Sequence, residues 1–274
     1  FNYFPAIRPF KYIIKELIPL KISLAQTDIV WEDKKANEKT AEKMISQAAA
    51  EGSELIIFPE MSLTGFSMNL DLISEHENDS ETIRFFSEQA RRNKIFISFG
   101  ISIKSDDGNF YNQAITVDKN GKAVSVYSKI HPYSHGAEKF YTGGDSISWF
   151  DLNGVTTSPF ICYDVRFPEI FQIASAKSKL IIVLASWPDV RIEYFDILLK
   201  ARAIENQSFI AAVNRTGHEM KYGYTGHSQI INPRGRLITE IREDEALITA
   251  DIDIKEADEF RQEYDVKRDR HPNI

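Results

Sequence analysis

Cysteine is nearly absent from this sequence: Cys162 is the only one in 274 residues. One thiol cannot close an intramolecular disulfide or build a cysteine-rich metal cluster, so a reducing compartment suits the chain best. Cationic charge is also in deficit, with 33 lysines and arginines against 40 acidic residues and a net charge of −7. That balance argues against nucleic acid or an anionic membrane as the main partner. Long apolar runs are missing too: no stretch reaches the ~18 uninterrupted apolar residues that a spanning helix needs. Nor does a Pro/Gly/Ser-rich linker divide the chain. The opening FNYFPAIRPFKYIIKELI is broken by Lys15 and Glu16, and no small-residue cleavage site follows it. It reads as an N-terminal extension, residues 1–18, ahead of a single domain over 19–274, with the cytoplasm as the expected location.

What is present is a soluble, globular composition, 43% hydrophobic and 27% charged. The pattern along the chain alternates. LKISLAQTD (20–28) has the run of a first buried strand. A helix follows over about 33–51, where Ala41, Met44, Ile45, Ala48 and Ala49 share a face and Gly52 stands ready to end it. ELIIFPE (54–60) is a short strand stopped by Pro59; a helix over 80–93 turns Ile83, Phe86 and Ala90 inward; KIFISFGISI (94–103) is a strand again. Strands at 110–118 and 122–128 flank Asn120-Gly121, a hairpin-turn pair. The alternation then repeats: strand 155–161, helix 166–177, strand 179–186, helix 191–206, and strands at 208–213, 225–232, 236–241 and 246–252. Two such halves imply an α/β fold whose sheets pack face to face with helices outside, a four-layer α-β-β-α sandwich. The charged tail after Ile254 either docks on a partner subunit or is loose.

Reactive groups in such folds gather where strands end. Glu60 follows LIIFP, Lys129 follows AVSVYS, and Cys162 follows SPFI. A thiol becomes a nucleophile when a base removes its proton or a positive charge stabilises the thiolate. Cys162 precedes the helix near 166, Glu60 supplies a base, and Lys129 supplies the cation. Together they would form a cysteine acyl-transfer site with a carboxylate in place of histidine. The bland alternatives are a small core hydrophobe for Cys162 and solvated loop residues for Glu60 and Lys129. Order along the chain does not decide between them.

Three blocks bear on that choice. IIFPEMSLTGF (56–66), YSKIHPYSHGAEKFYTGGD (127–145) and FICYDVRFPEIF (160–171) closely resemble, in order, the three signature blocks of the nitrilase (carbon–nitrogen hydrolase) superfamily. The stretches 185–217 and 224–235 also look like this family, so the likeness covers about 20–254. The resemblance implies the α-β-β-α sandwich, with Glu60 as general base, Lys129 as oxyanion-stabilising lysine and Cys162 as nucleophile. It further implies that Glu138 positions the lysine and the hydrolytic water, that the Tyr163 N–H joins the oxyanion hole, that the protein is a homodimer or larger homo-oligomer, and that no metal or organic cofactor is needed.

CYDVRFPE is similar to amide-hydrolysing members rather than nitrilases, and LKARAIENQ with VNRTG looks like bacterial omega-amidases. The resemblance therefore implies hydrolysis of a small ω-amide of the 2-oxoglutaramate or succinamate type through a cysteine thioester. N-carbamoyl-amine and deaminated-glutathione amidohydrolases are the alternatives within the superfamily. A papain-like protease lacks a recognisable histidine block here. A non-catalytic binding protein on this fold would have no reason to keep all four polar residues.

A substrate carboxylate would need a cation beyond Lys129, and Arg191, Arg215 and Lys139 are the candidates, each competing with plain solvation. Trp187, at a strand end, reads as pocket wall or core. Asp164 and Arg166 read as an ion pair shaping the turn after Cys162, with substrate contact as the lesser alternative. His131 and His135 have helical metal spacing, but Pro132 between them argues against a helix.

Overall fold

The computed structural model describes residues 19–133, 138–219 and 222–270. The extension 1–18 and His135 lie outside the described residues.

The first half contains β1 (Leu20–Gln26), α1 (Lys34–Ala50), β2 (Leu55–Ile57), α2 (Leu70–Ile73), β3 (Glu75–His76), α3 (Glu81–Asn93), β4 (Phe96–Lys104), β5 (Phe110–Val117) and β6 (Ala123–Ser128). The second contains β7 (Phe150–Leu152), β8 (Val155–Ile161), α4 (Pro168–Ser175), β9 (Leu180–Ala185), α5 (Ile192–Asn206) and β10 (Phe209–Asn214). It continues with β11 (Thr216–Glu219), β12 (Tyr222–Thr225), β13 (Gln229–Ile231), β14 (Ala246–Ile252) and α6 (Lys255–Glu263).

One sheet has the order β14-β1-β2-β4-β5-β6, with β3 beside β4; the other runs β13-β10-β9-β8-β7. Each has three parallel strands at its centre, β1-β2-β4 and β8-β9-β10, flanked by antiparallel strands, while the short β3 pairs with β4 in parallel. The last strand, β14, closes the first sheet rather than the second.

Strand alternation builds the layers. Ile22, Leu24, Leu55 and Ile57 join Phe160, Ile182, Leu184 and Ile210 in one core cluster between the sheets. The intervening residues Ala25, Ile56 and Phe58 face the other way, onto Ala41, Met44, Ile45 and Ala48 of α1 and Phe86 of α3. Helices α4 and α5 bury Phe171, Phe195 and Leu199 against the second sheet. The result is the four-layer sandwich expected from the doubled pattern. Each fully buried Leu, Ile or Phe contributes roughly 1.5–3 kcal/mol, so this paired core dominates stability.

Local chemistry sets the ends. Asp33 caps α1 by accepting from the Ala36 N–H, and Gly52 follows it at φ +81°. Ser80 caps α3 through the Ile83 N–H. Gly121 turns the β5–β6 hairpin at φ +77°.

Some expectations are corrected. No strand forms over 236–241. Only an isolated bridge, Ile231 to Leu237, pairs this segment with β13; beyond it the Ile230 N–H goes to the Thr239 hydroxyl, and the Arg234 and Arg236 N–H groups go to the Asn232 side chain. The strand expected over 225–232 splits, because Gly226 and His227 both have positive φ, and β12 leaves to pair with β11. The described part of the tail is not loose. Helix α6 docks on its own chain, where Arg261 donates to the Gln207 and Ser178 carbonyls. Among the described residues no helix is long and apolar enough to cross a membrane.

Candidate active site

Glu60, Lys129 and Cys162 each stand just past a strand, and the two sheets bring those strand ends together. Two of the turns are tight: Met61, next to Glu60, has φ 49° and Cys162 itself φ 43°, the left-handed region that costs non-glycine residues energy. Close approach also demands Gly100 on β4. A Cβ there would stand 2.5 Å from the Met61 nitrogen and 2.7 Å from the Glu60 Cα, both backbone atoms.

The Lys129 ammonium lies 2.8 Å from Glu60 Oε1 and 2.7 Å from Glu138 Oε2, and all three side chains are buried. The Ser186 N–H donates to Glu60 Oε2 at 3.1 Å, and the Tyr133 N–H donates to Glu138 Oε2 at 2.7 Å. Asn112, a polar position inside β5, donates to both glutamates. None of these supporting donors was legible beforehand. A lone asparagine in an apolar strand was the single sequence signal.

One ammonium between two carboxylates explains the electrostatics. Burial pushes the Glu60 carboxyl above its ordinary value; Lys129 opposes this and the Glu138 charge adds to it. Burial alone would lower Lys129, but the Glu138 and Glu60 charges outweigh it and hold the ammonium well above its usual range. The Cys162 thiol is pushed well up, first by burial and then by the Glu60 charge, while Lys129 and the Ser186 N–H pull it down. This revises the expected help from a helix dipole. Cys162 opens a 3-10 turn over Cys162–Arg166, and α4 begins only at Pro168. Burial at this turn therefore favours the thiol over the thiolate.

The turn is fixed from below. Asp164 is buried and accepts from the Tyr127 hydroxyl at 2.7 Å, the Ile161 N–H at 3.1 Å and the His131 N–H at 3.1 Å. The expected Asp164–Arg166 ion pair does not form. Asp164 is saturated by donors from the lysine-bearing strand, the loop after it and the end of β8, and Arg166 points elsewhere. His131 goes to the same carboxylate, its Nδ1 2.9 Å from Asp164 Oδ1. Among the described residues no group of three His, Cys, Asp or Glu side chains is placed to hold a metal ion.

Cys162, Lys129 and Glu138 open into a cavity of about 640 Å³. Trp187 lines it and is also core, its ring 5.2 Å from Phe195. Arg191 lines it as well. Lys139 does not; it is exposed beside Phe140. Arg215 is also outside the lining. It is fully buried behind the wall, paired with Glu219 and donating to the Ile29 carbonyl at 2.9 Å, so burial rather than solvation or the cavity claims it. A further cation in the lining is Arg166, which the sequence ranks as an ion-pair partner ahead of a substrate contact. It has no carboxylate partner among the described residues, and its guanidinium lies 5.1 Å from the Trp187 ring, 5.8 Å from Tyr163 and 5.7 Å from Tyr194.

Residues 21–262 match the family model described as carbon-nitrogen hydrolase. The chain belongs to the carbon–nitrogen hydrolase family. Over 248 residues this hydrolase is 33% identical to a Bacillus subtilis protein named 2-oxoglutaramate amidase, covering 89% of this chain and 95% of that one. Over 253 residues it is 29% identical to omega-amidase YafV of Escherichia coli, covering 91% and 96% respectively. The fold matches a solved CN-hydrolase superfamily protein from Xanthomonas campestris with a TM-score of 0.87 at 28% identity, covering 94% of this chain and 99% of that one. The hydrolase fold and the family thus agree with the three signature blocks.

Proposed function

We propose that this hydrolase is an ω-amidase, cleaving a short dicarboxylic monoamide of the 2-oxoglutaramate or succinamate kind to the diacid and ammonia. Arg166 carries the reading. A guanidinium held among aromatic rings, in the wall of the cavity that Cys162 opens into and without a carboxylate partner among the described residues, suits a substrate carboxylate. The names of the two relatives support the same substrate class.

In this mechanism Glu60 takes the Cys162 proton as sulfur attacks the amide carbon. The Lys129 ammonium and the Tyr163 N–H hold the oxyanion, a donor of this kind being worth about 3 kcal/mol. Glu60 returns its proton to the leaving nitrogen, and ammonia departs. Water, deprotonated by Glu60 or Glu138, then attacks the thioester and releases the acid.

The test compares succinamate with butyramide, a neutral amide of equal length. Wild type should prefer succinamate in kcat/KM. Arg166→Gln should raise KM for succinamate about 10- to 100-fold, the loss of a charge-assisted hydrogen bond, and leave butyramide nearly unchanged. Equal effects on both amides would remove Arg166 from carboxylate binding. A preference for butyramide, or for a carbamoyl amine, would sink the ω-amide assignment.

The same reading makes the protein a cytoplasmic homodimer. Tyr194, Ile197 and Ile204 form an exposed apolar stripe along α5, suited to a second copy. Light scattering should report a dimer for wild type and a smaller species for Ile197→Arg; a wild-type monomer would contradict it.

A further inference from the structure

Asn112 touches both carboxylates of the site and the backbone of its lysine. Its backbone carbonyl accepts from the Lys129 N–H at 2.8 Å. Its side-chain amide donates to Glu60 Oε1 and to Glu138 Oε1, each at 2.8 Å. The opposite amide orientation would press a carbonyl oxygen against two carboxylates, so the nitrogen must face them. The amide carbonyl has no hydrogen-bond partner among the described residues, an unfavourable state for a buried acceptor. The two glutamates therefore dictate how this side chain lies.

Counting lone pairs gives the consequence. Each carboxylate oxygen accepts about two hydrogen bonds. Glu60 Oε1 already takes Lys129 and Asn112. Glu60 Oε2 takes only the Ser186 N–H, which also faces the Cys162 thiol. We propose that Asn112 is a positioning residue that selects the proton-accepting atom: by filling Glu60 Oε1 and anchoring Glu138 across from it, it leaves Oε2 as the base for Cys162. In that step the S–H bond breaks, an O–H bond forms at Oε2, and the sulfur electron pair makes the new S–C bond. The proton later leaves with the amide nitrogen. This inference rests on Glu60 being the base, as argued under the proposed function.

The test is the pH dependence of two rates in Asn112→Leu, which keeps the volume and loses the donors, and in Asn112→Ala. One rate is kcat/KM for succinamate. The other is alkylation of Cys162 by iodoacetamide, which needs no substrate. Losing a donor to a carboxylate raises its pKa, so the acid midpoint of both profiles should move up by about one pH unit. In the same variants kcat should fall about tenfold or more while KM changes little. A packing role alone would lower the amplitude and leave the midpoints in place, and that result overturns the proposal. So does failure of both variants to fold, which would make Asn112 a structural residue. If succinamate is not turned over but the alkylation midpoint moves, the substrate reading fails and the positioning role stands.

Discussion

Cys162→Ala is expected to abolish ammonia release, by about 10⁴-fold or more, and to leave the fold standing. The residue is buried, at 9% exposure, yet removing its sulfur leaves a hole of only one atom. The left-handed turn is no harder for alanine than for cysteine, so the stability change should stay below about 1.5 kcal/mol. Circular dichroism and denaturant unfolding check the second half of the expectation. An alanine variant that still releases ammonia at a tenth of the wild-type rate would remove the thiol from the chemistry.

Lys129→Met should do the opposite to stability. Methionine matches the length of the lysine stem, so the volume is kept and the charge is lost. Two buried carboxylates are then left facing each other without a cation. Removing one partner of a buried ion pair costs about 3–5 kcal/mol, against about 1 kcal/mol for an exposed pair. The dependence on pH has a definite sign. The Glu60 carboxyl already lies above its ordinary value in the folded protein because of burial, and losing Lys129 raises it further. A group whose folded pKa is raised contributes stability below its unfolded pKa and loses it as pH rises through the folded one. The variant's deficit should therefore be largest near neutral pH and shrink as the solution is acidified towards the ordinary carboxylate range. Urea midpoints at several pH values measure this. A deficit independent of pH would mean that packing, not charge, accounts for the loss, and activity in the variant would contradict the oxyanion role.

Much of this site was legible because its parts sit at strand ends. Glu60, Lys129 and Cys162 each follow an apolar run, and runs of that kind are the strongest signal a sequence carries. What brings them together was not legible. It depends on the first sheet meeting the second, and on Gly100, whose missing side chain lets the Glu60 turn lie against β4. The supporting donors were hidden for a related reason. Two are backbone N–H groups, of Ser186 and Tyr133, which no residue type announces.

Arg166 and Arg215 show the limit most plainly. The sequence favours an ion pair for Arg166 and solvation, ahead of a substrate carboxylate, for Arg215, and the structure does otherwise with each. Arg166 looked paired to Asp164 two residues away, but the 3-10 turn sends the two side chains apart, Asp164 under the turn and Arg166 into the cavity. Arg215 looked available to substrate, but Glu219 four residues on takes it behind the wall. At the other end of the chain, the charged tail that holds α6 read as either docked on a partner subunit or loose. Its Arg261 instead finds backbone carbonyls that only the folded second half presents.

The central claim is that a short dicarboxylic monoamide is hydrolysed through an acyl group carried on Cys162. Its most direct test is a rapid-quench experiment with succinamate and excess wild-type enzyme, followed by mass spectrometry of the peptide that carries Cys162. The account predicts a transient succinyl adduct on that cysteine, rising together with ammonia and decaying as succinate appears. Ammonia released with no adduct at any time, or an adduct on another residue, would contradict it.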